Sequence, residues 1–411
     1  MINQSIDGFL HPNVSKSVDQ IFVNAKQSLL WLLSWLTGAP DWVIQVASSL
    51  INIFALLFVF LTLFALMSVL ERKILGRIQN RYGPNRVGPF GLLQPVADGI
   101  KMLIKEDIVP ARADKLVHFL APILIAAAAI LALGVIPYGR NMTPFTIDGG
   151  VLFFFAVGST TELAVFMAGW GSNNKFSMLG AMRAIAQMIS YELPLIITVL
   201  PVVMVVGSLT PDRIVAAQAQ YTFGFVPRWF VFTPWGATAF ILFFVSGLVE
   251  SNRTPFDIPE GESEIVAGHM TEYSGFKYAT FFMAEYIGMF AITGLAATMF
   301  LGGWHSPVQA LEFIPSYVWF LAKLSALLLV YIWLRGTLPR TRIDQIMNFA
   351  WKFILPMSFT CVIAAAVWHY AGRGLRGWLW SFLVIAIAYT VLSMLLDTQR
   401  KFAPRTYRFA E

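Results

Sequence analysis

The chain has 411 residues, 57% hydrophobic and only 13% charged, with a formal net charge of +6. A soluble chain would be about 25% charged, and here the apolar residues arrive in runs of roughly 20, the length a helix needs to cross ~30 Å of hydrocarbon. A string of water-soluble domains is excluded, and the positive excess bears on membrane orientation rather than on nucleic acid as a partner.

The N-terminal extension, 1–42, contains QSLLWLLSWL (27–36). This stretch is too short to cross, so an interfacial helix packed on the bundle, or the start of a long first span, is expected. It lacks a small-residue cleavage site and does not read as a signal peptide. Residues 43–397 are expected to form one all-α polytopic membrane bundle, with a cytoplasmic tail at 398–411. Apolar runs near 43–70, 118–137, 150–170, 184–208, 233–250, 276–302, 316–334, 346–370 and 377–396 predict nine spans. Alternating them puts most of the 29 lysines and arginines on one side. The positive-inside rule makes that side cytoplasmic and leaves the N-terminus outside.

After the first span comes ERKILGRIQNRYGPNRVGPFG (71–91), whose glycines and prolines suggest a shaped loop rather than a plain polybasic anchor. Leu92, Leu93, Val96, Ile100, Leu103 and Ile104 then recur at helical spacing, with Asp98, Lys101 and Lys105 between them. This predicts an amphipathic helix along the cytoplasmic membrane face, either a simple anchor or a wall of an entry gap for something lipid-soluble.

Glu162, Glu192 and Glu285 lie inside apolar runs, and Glu250 closes one. Burial disfavours the charged carboxylate, so each must be neutral or sit beside water, a cation or a hydrogen-bond donor. A single such glutamate often only ties two helices together. Four on separate spans, leading toward one acidic loop, point instead to proton handling. That loop holds six carboxylates within 250–272, with Asp257, Glu260, Glu262 and Glu264 crowded between Pro255 and Glu272. Hard oxygen ligands of this kind suit Mg²⁺ or Ca²⁺, but the spacing matches no ligand loop, and no metal site is expected.

One cysteine, Cys361, leaves no disulfide framework and no multi-cysteine cluster. Five scattered histidines form no HxxxH pair, and no GxxxxGK[ST] loop or strand-borne GxGxxG occurs. The chain is expected to carry no redox cofactor or nucleotide of its own.

Four motifs together resemble the H subunit (subunit 1) of proton-pumping NADH:quinone oxidoreductase, respiratory complex I. They are 71–91 with its continuation LLQPVADGIKMLIKE, GSNNKFSMLGAMRAIAQMISYE (171–192), ESNRTPFDIPEGESEIVAGHMTEYSGFKYATFFMAEY (250–286) and RGTLPRTRIDQIMNFAWK (335–352). The resemblance implies a bacterial inner-membrane subunit that forms the entrance and lower part of a quinone chamber and begins an acidic proton-coupling channel. It implies that Glu192, Glu250, Glu260, Glu264, Glu272 and Glu285 belong to that channel, with Glu162 beside it. Glu71, Arg72, Arg81, Asp98 and Arg253 would lie around the quinone passage and docking loops, with Asp257 and Glu262 in the same motif. Quinone would be the substrate, none bound covalently. Flavin and iron–sulfur clusters would belong to partner subunits, and the partners would be peripheral-arm quinone-site subunits, antiporter-like membrane subunits and lipid. A membrane subunit of an energy-converting hydrogenase or formate hydrogenlyase shares some of these motifs. A standalone ion transporter would show internal repeats, and none is found.

Overall fold

The computed structural model describes residues 19–37, 40–222, 226–258, 261, 265–372 and 374–399. Over these residues the chain is almost entirely helical. The helices are α1 (Ile21–Thr37), α2 (Asp41–Ile78), α3 (Gln94–Ile104), α4 (Lys115–Leu133), α5 (Gly150–Gly171), α6 (Lys175–Val206) and α7 (Pro211–Ala217). They continue as α8 (Pro234–Glu250), α9 (Gly275–Phe300), α10 (Ser316–Thr337), α11 (Ile343–Phe349), α12 (Leu355–Tyr370) and α13 (Leu375–Gln399). The only sheet among the described residues is a ribbon pairing Tyr221–Thr222 with Val226–Pro227.

Eight of these are long and apolar enough to cross a membrane, α11 and α12 counting as one continuous helix through the π turn at Ala350–Ile354. The ninth predicted span is α8, with 17 residues, about 25 Å at 1.5 Å per residue. Two boundaries differ from expectation. Helix α2 runs on through ERKILGRI to Ile78, and α6 begins at Lys175 rather than near 184. Charge ends an apolar run, but it does not end a helix. The α6 start is set by Asn174, whose side chain accepts from the Phe176 amide at 3.0 Å.

The 27–36 stretch falls within α1, a helix separate from the first span. The Lys26–Asn52 hydrogen bond (2.8 Å) holds α1 against the first turns of α2. Residues 1–18 and 400–411, the rest of the expected extension and most of the tail, lie outside the described residues.

The core sits around α9, whose apolar window is 67% buried against 11% for α13. Helices α2, α3, α4, α8 and α10 all pack on it. At its far end Lys323 of α10 donates to the carbonyls of Leu301, Gly303 and His305 (2.6, 2.8 and 2.6 Å), and its ammonium lies 4.0 Å from the Trp229 ring. A lysine inside a span is costly. Here it caps the carbonyl end of α9 and gains a cation–π contact.

The ends of α2, α4, α6, α9 and α10 meet on one face, called here the loop face. There Ile108 N–H donates to Ser274 Oγ (2.8 Å) and Asn173 Nδ2 to Arg112 O (3.0 Å). On the same face Thr341 N–H donates to Pro255 O (3.1 Å). This face carries the charged motifs.

Candidate functional site

Two polar clusters lie back to back across α9. The first is an acid cavity. Ser159 and Glu162 are three residues apart on α5 and so share a helix face. Opposite them, Glu192 of α6 accepts a hydrogen bond from Ser159 Oγ, and the Glu162 and Glu192 carboxyls lie within hydrogen-bonding reach of each other. Glu250 is the last residue of α8 and feels the charge of both. It stands at the carbonyl end of its helix, where the dipole also disfavours negative charge.

Glu192, Glu250 and Glu285 line one cavity of about 90 Å³ together with Thr161, Ser251, Asn252 and His269, the remaining wall being apolar residues of α4, α5, α6 and α9. A water needs roughly 10–15 Å³ of such space, so several fit. The end of α8 is held against α6 by Gln187, fully buried, whose amide nitrogen reaches Val249 O at 3.0 Å and Phe256 O at 2.9 Å. This clamp positions Glu250, and nothing in the local sequence announces it.

The second cluster surrounds Glu71, only 5% exposed near the end of α2. Tyr286 of α9 donates to its Oε2 at 2.5 Å, and Arg335 of α10 pairs with its Oε1. Arg253, from the 251–274 loop and 7% exposed, stacks its guanidinium 3.9 Å from the Tyr286 ring centre. One carboxylate is thus set among two arginines and a phenol, a buried arrangement whose charge is compensated from three segments.

Of the other predicted residues, Glu272 accepts from Asn174 Nδ2 at 2.5 Å, so one asparagine both caps α6 and fixes this carboxylate. Arg72 pairs with Asp98 of α3 at 2.7 Å on the surface, and Gln94 donates to Asp98 at 3.0 Å. That bridge ties the amphipathic helix to the end of the first span. Arg81 bonds Gln79 at 2.7 Å and is exposed. Asp257 lies in the loop, where its backbone carbonyl accepts from Arg340. Glu260, Glu262 and Glu264 lie outside the described residues.

Sequence reasoning did not single out Arg335, Tyr286, Ser159, Asn174 or Gln187. All but Ser159 stood inside quoted motifs, but nothing in a linear pattern pairs Arg335 and Tyr286 with Glu71. Among the described residues no group of three or more His, Cys, Asp or Glu side chains is placed to hold a metal ion.

Comparison with known proteins adds the following. The NADH dehydrogenase family profile matches residues 51–366. The H subunit of NADH-quinone oxidoreductase from Dehalococcoides mccartyi is 48% identical over 297 residues, 72% of this chain and 80% of that protein. The protein of the same name from Geobacillus kaustophilus is 45% identical over 335 residues, 81% of this chain and 97% of the relative. That from Burkholderia vietnamiensis is 45% identical over 324 residues, covering 78% and 91%.

Proposed function

We propose a specific role within a known assembly, since this chain belongs to the NADH dehydrogenase family as an H-type membrane subunit of an NADH-quinone oxidoreductase. It is a multi-pass membrane component of an oxidoreductase complex, and its partners are other subunits of that complex. Within it, we infer, the acid cavity begins the proton-coupling channel, and the Glu71 cluster lies beside the quinone passage.

The observation that carries this is convergence. Glu162, Glu192, Glu250 and Glu285 come from four helices, and three of them line one cavity beside the fourth. Carboxyls so close cannot all hold charge cheaply, so protons are shared among them and shift when the charge nearby changes. The Glu71 cluster supplies the neighbour, on the other side of α9. Reduction of a quinone takes up two protons. Drawing them from groups near Glu71, Arg253 and Arg335 alters the field across α9, and the cavity acids redistribute protons in response.

Quinone, with its apolar tail, enters between α3 and the end of α2, where Leu92, Val96, Ile100 and Leu103 are exposed and the Arg72–Asp98 bridge frames the gap. The loop face is the cytoplasmic one in a bacterial inner membrane, in keeping with its lysines and arginines. Flavin and iron–sulfur clusters belong to partner subunits. Neither the hydrogenase nor the transporter alternative has an observation in its favour.

The test is Glu192→Gln in the assembled complex, reconstituted into vesicles. Proton translocation is expected to fall by roughly tenfold or more while oxidation of NADH by ferricyanide, which bypasses the quinone, is unchanged. Normal translocation would remove Glu192 from the coupling path.

A further inference from the structure

Three buried polar side chains near the loop face have no part in the role above. They are His118 at the start of α4, His269 in the turn at Gly268–Met270, and Tyr273, respectively 1%, 1% and 6% exposed. The His118 ring lies flat on Tyr273, centroids 4.0 Å apart and planes within 8°. Tyr273 and His269 both pack on Phe281, at 4.8 and 5.6 Å. With Phe281 between Tyr273 and His269, they form one aromatic stack bridging α4, the turn and α9.

Each keeps an uncommitted polar atom. The His118 ring hydrogen-bonds the backbone of Glu272, yet its Nε2, His269 Nδ1 and the Tyr273 hydroxyl have no hydrogen-bond partner among the described residues. A buried polar atom left unpaired costs the full loss of its hydration. If these positions served packing alone, phenylalanine would fill all three without that cost. Three such atoms in one stack ask for a function that uses them.

The stack has two distinct ends. His269 lines the acid cavity with Glu192, Glu250 and Glu285. At the other end, His118 feels Glu272, Lys277 and Asp107. Lys277 and Asp107 pair at 2.7 Å with Asp107 half exposed, and Glu272 is held by Asn174. The turn is fixed in place by Ser177, whose hydroxyl donates to His269 O at 3.1 Å, and by Gly180, where a Cβ would lie 2.5 Å from Gly268 Cα.

We propose that His118, Tyr273 and His269 form a buried side path along which protons pass between the charged loop face at Asp107 and Glu272 and the acid cavity. The proposal rests on the cavity being a proton-coupling site. His118 accepts a proton at Nε2 and passes it on through bridging water. Tyr273 accepts at its oxygen as it releases its own hydroxyl proton, which bridging water carries past Phe281 to His269. His269 accepts at one ring nitrogen and releases from the other. One proton moves, only N–H and O–H bonds form and break, and the tautomers reset before the next. Burial pushes His269 down to about 4, so at neutral pH its ring is uncharged and keeps one donor and one acceptor nitrogen.

The experiment uses the whole complex in vesicles, comparing His118→Phe, Tyr273→Phe and Glu192→Gln with the parent from about pH 6.5 to about pH 8.5. Phenylalanine keeps the ring packing at either position; at 273 it removes only the relaying hydroxyl, and at 118 it also removes the hydrogen bond to the Glu272 backbone. Quinone-coupled proton translocation should drop roughly tenfold in both at the alkaline end. It should recover toward the parent at the acid end, where bulk protons are more abundant, with ferricyanide-linked NADH oxidation intact throughout. Parent-like translocation across the range, or an equal loss at every pH, would overturn the path. Should His118→Phe fail to assemble, Tyr273→Phe decides alone. Loss in Glu192→Gln with parent-like phenylalanine variants rejects only the side path. A parent-like Glu192→Gln rejects the cavity reading, and the side path with it.

Discussion

Glu285 and Tyr286 are neighbours on α9 but serve different clusters: Glu285 lines the acid cavity, and Tyr286 donates to Glu71 at 2.5 Å. Successive residues of a helix point about 100° apart, so α9 is the wall shared by the two. If the wall transmits charge, the residues are energetically coupled. A double-mutant cycle of Glu285→Gln and Tyr286→Phe on proton translocation should then show an interaction energy above about 0.5 kcal/mol. Simple additivity would make the clusters independent.

Removing Arg335 leaves the Glu71 carboxylate with less compensation. Breaking a fully buried pair costs about 3–5 kcal/mol. Arg335 is 33% exposed, so Arg335→Met should cost about 2 kcal/mol or more, read from thermal melting of the solubilised complex. Adding Glu71→Gln should restore part of the loss. No recovery would mean that Arg335 acts by packing and not by charge.

Gly180 touches the 268–270 turn so closely that Gly180→Ala must move backbone at Gly268. Overpacking of this kind costs about 1–3 kcal/mol. Because the turn carries His269 and precedes Glu272, the variant should lose coupled activity beyond what its melting shift explains. Normal coupling in a destabilised variant would separate the turn from function.

His269 gives the fold a defined pH dependence. Its folded value of about 4 lies below the ordinary 6.5, so between these values the unfolded chain binds more protons than the folded one. Stability is therefore full above about pH 6.5 and falls as the pH drops toward 4. The total loss is about 3 kcal/mol at 1.36 kcal/mol per unit. His269→Phe should flatten this part of the melting profile, and an unchanged slope would assign it to other groups.

The Arg72–Asp98 bridge is different in kind, with side chains 49% and 30% exposed. Such a pair contributes less than about 1 kcal/mol. Arg72→Ala should leave the melting temperature nearly unchanged while raising the quinone concentration needed for half-maximal turnover. An unchanged quinone dependence would take the bridge away from the entrance.

Much of the candidate site was visible residue by residue. Glu162, Glu192 and Glu285 stand out because a carboxylate in an apolar run is rare and costly, and the motif around 250–272 is dense in acid. The side path was not visible at all. A lone histidine in an apolar helix reads like any packed histidine, and His118 meets Tyr273 only through the crossing of α4 with the loop before α9. Arg81 shows the converse: its charge stands out in the string, but the fold turns it to Gln79 and the surface.

The sequence by itself determined the all-helical, apolar character of the chain, the order of its long apolar helices, and which acids stand inside apolar runs. These follow from the thickness of the hydrocarbon and the cost of charge inside it, both of which act on a linear string. Only the tertiary structure decided that Glu71 meets Arg335 across 264 residues and that four glutamates share one neighbourhood. The same holds for Asn174, which both starts α6 and holds Glu272. Those pairings depend on how each helix is rotated and which neighbour it packs against, set by side-chain shape along every contact at once.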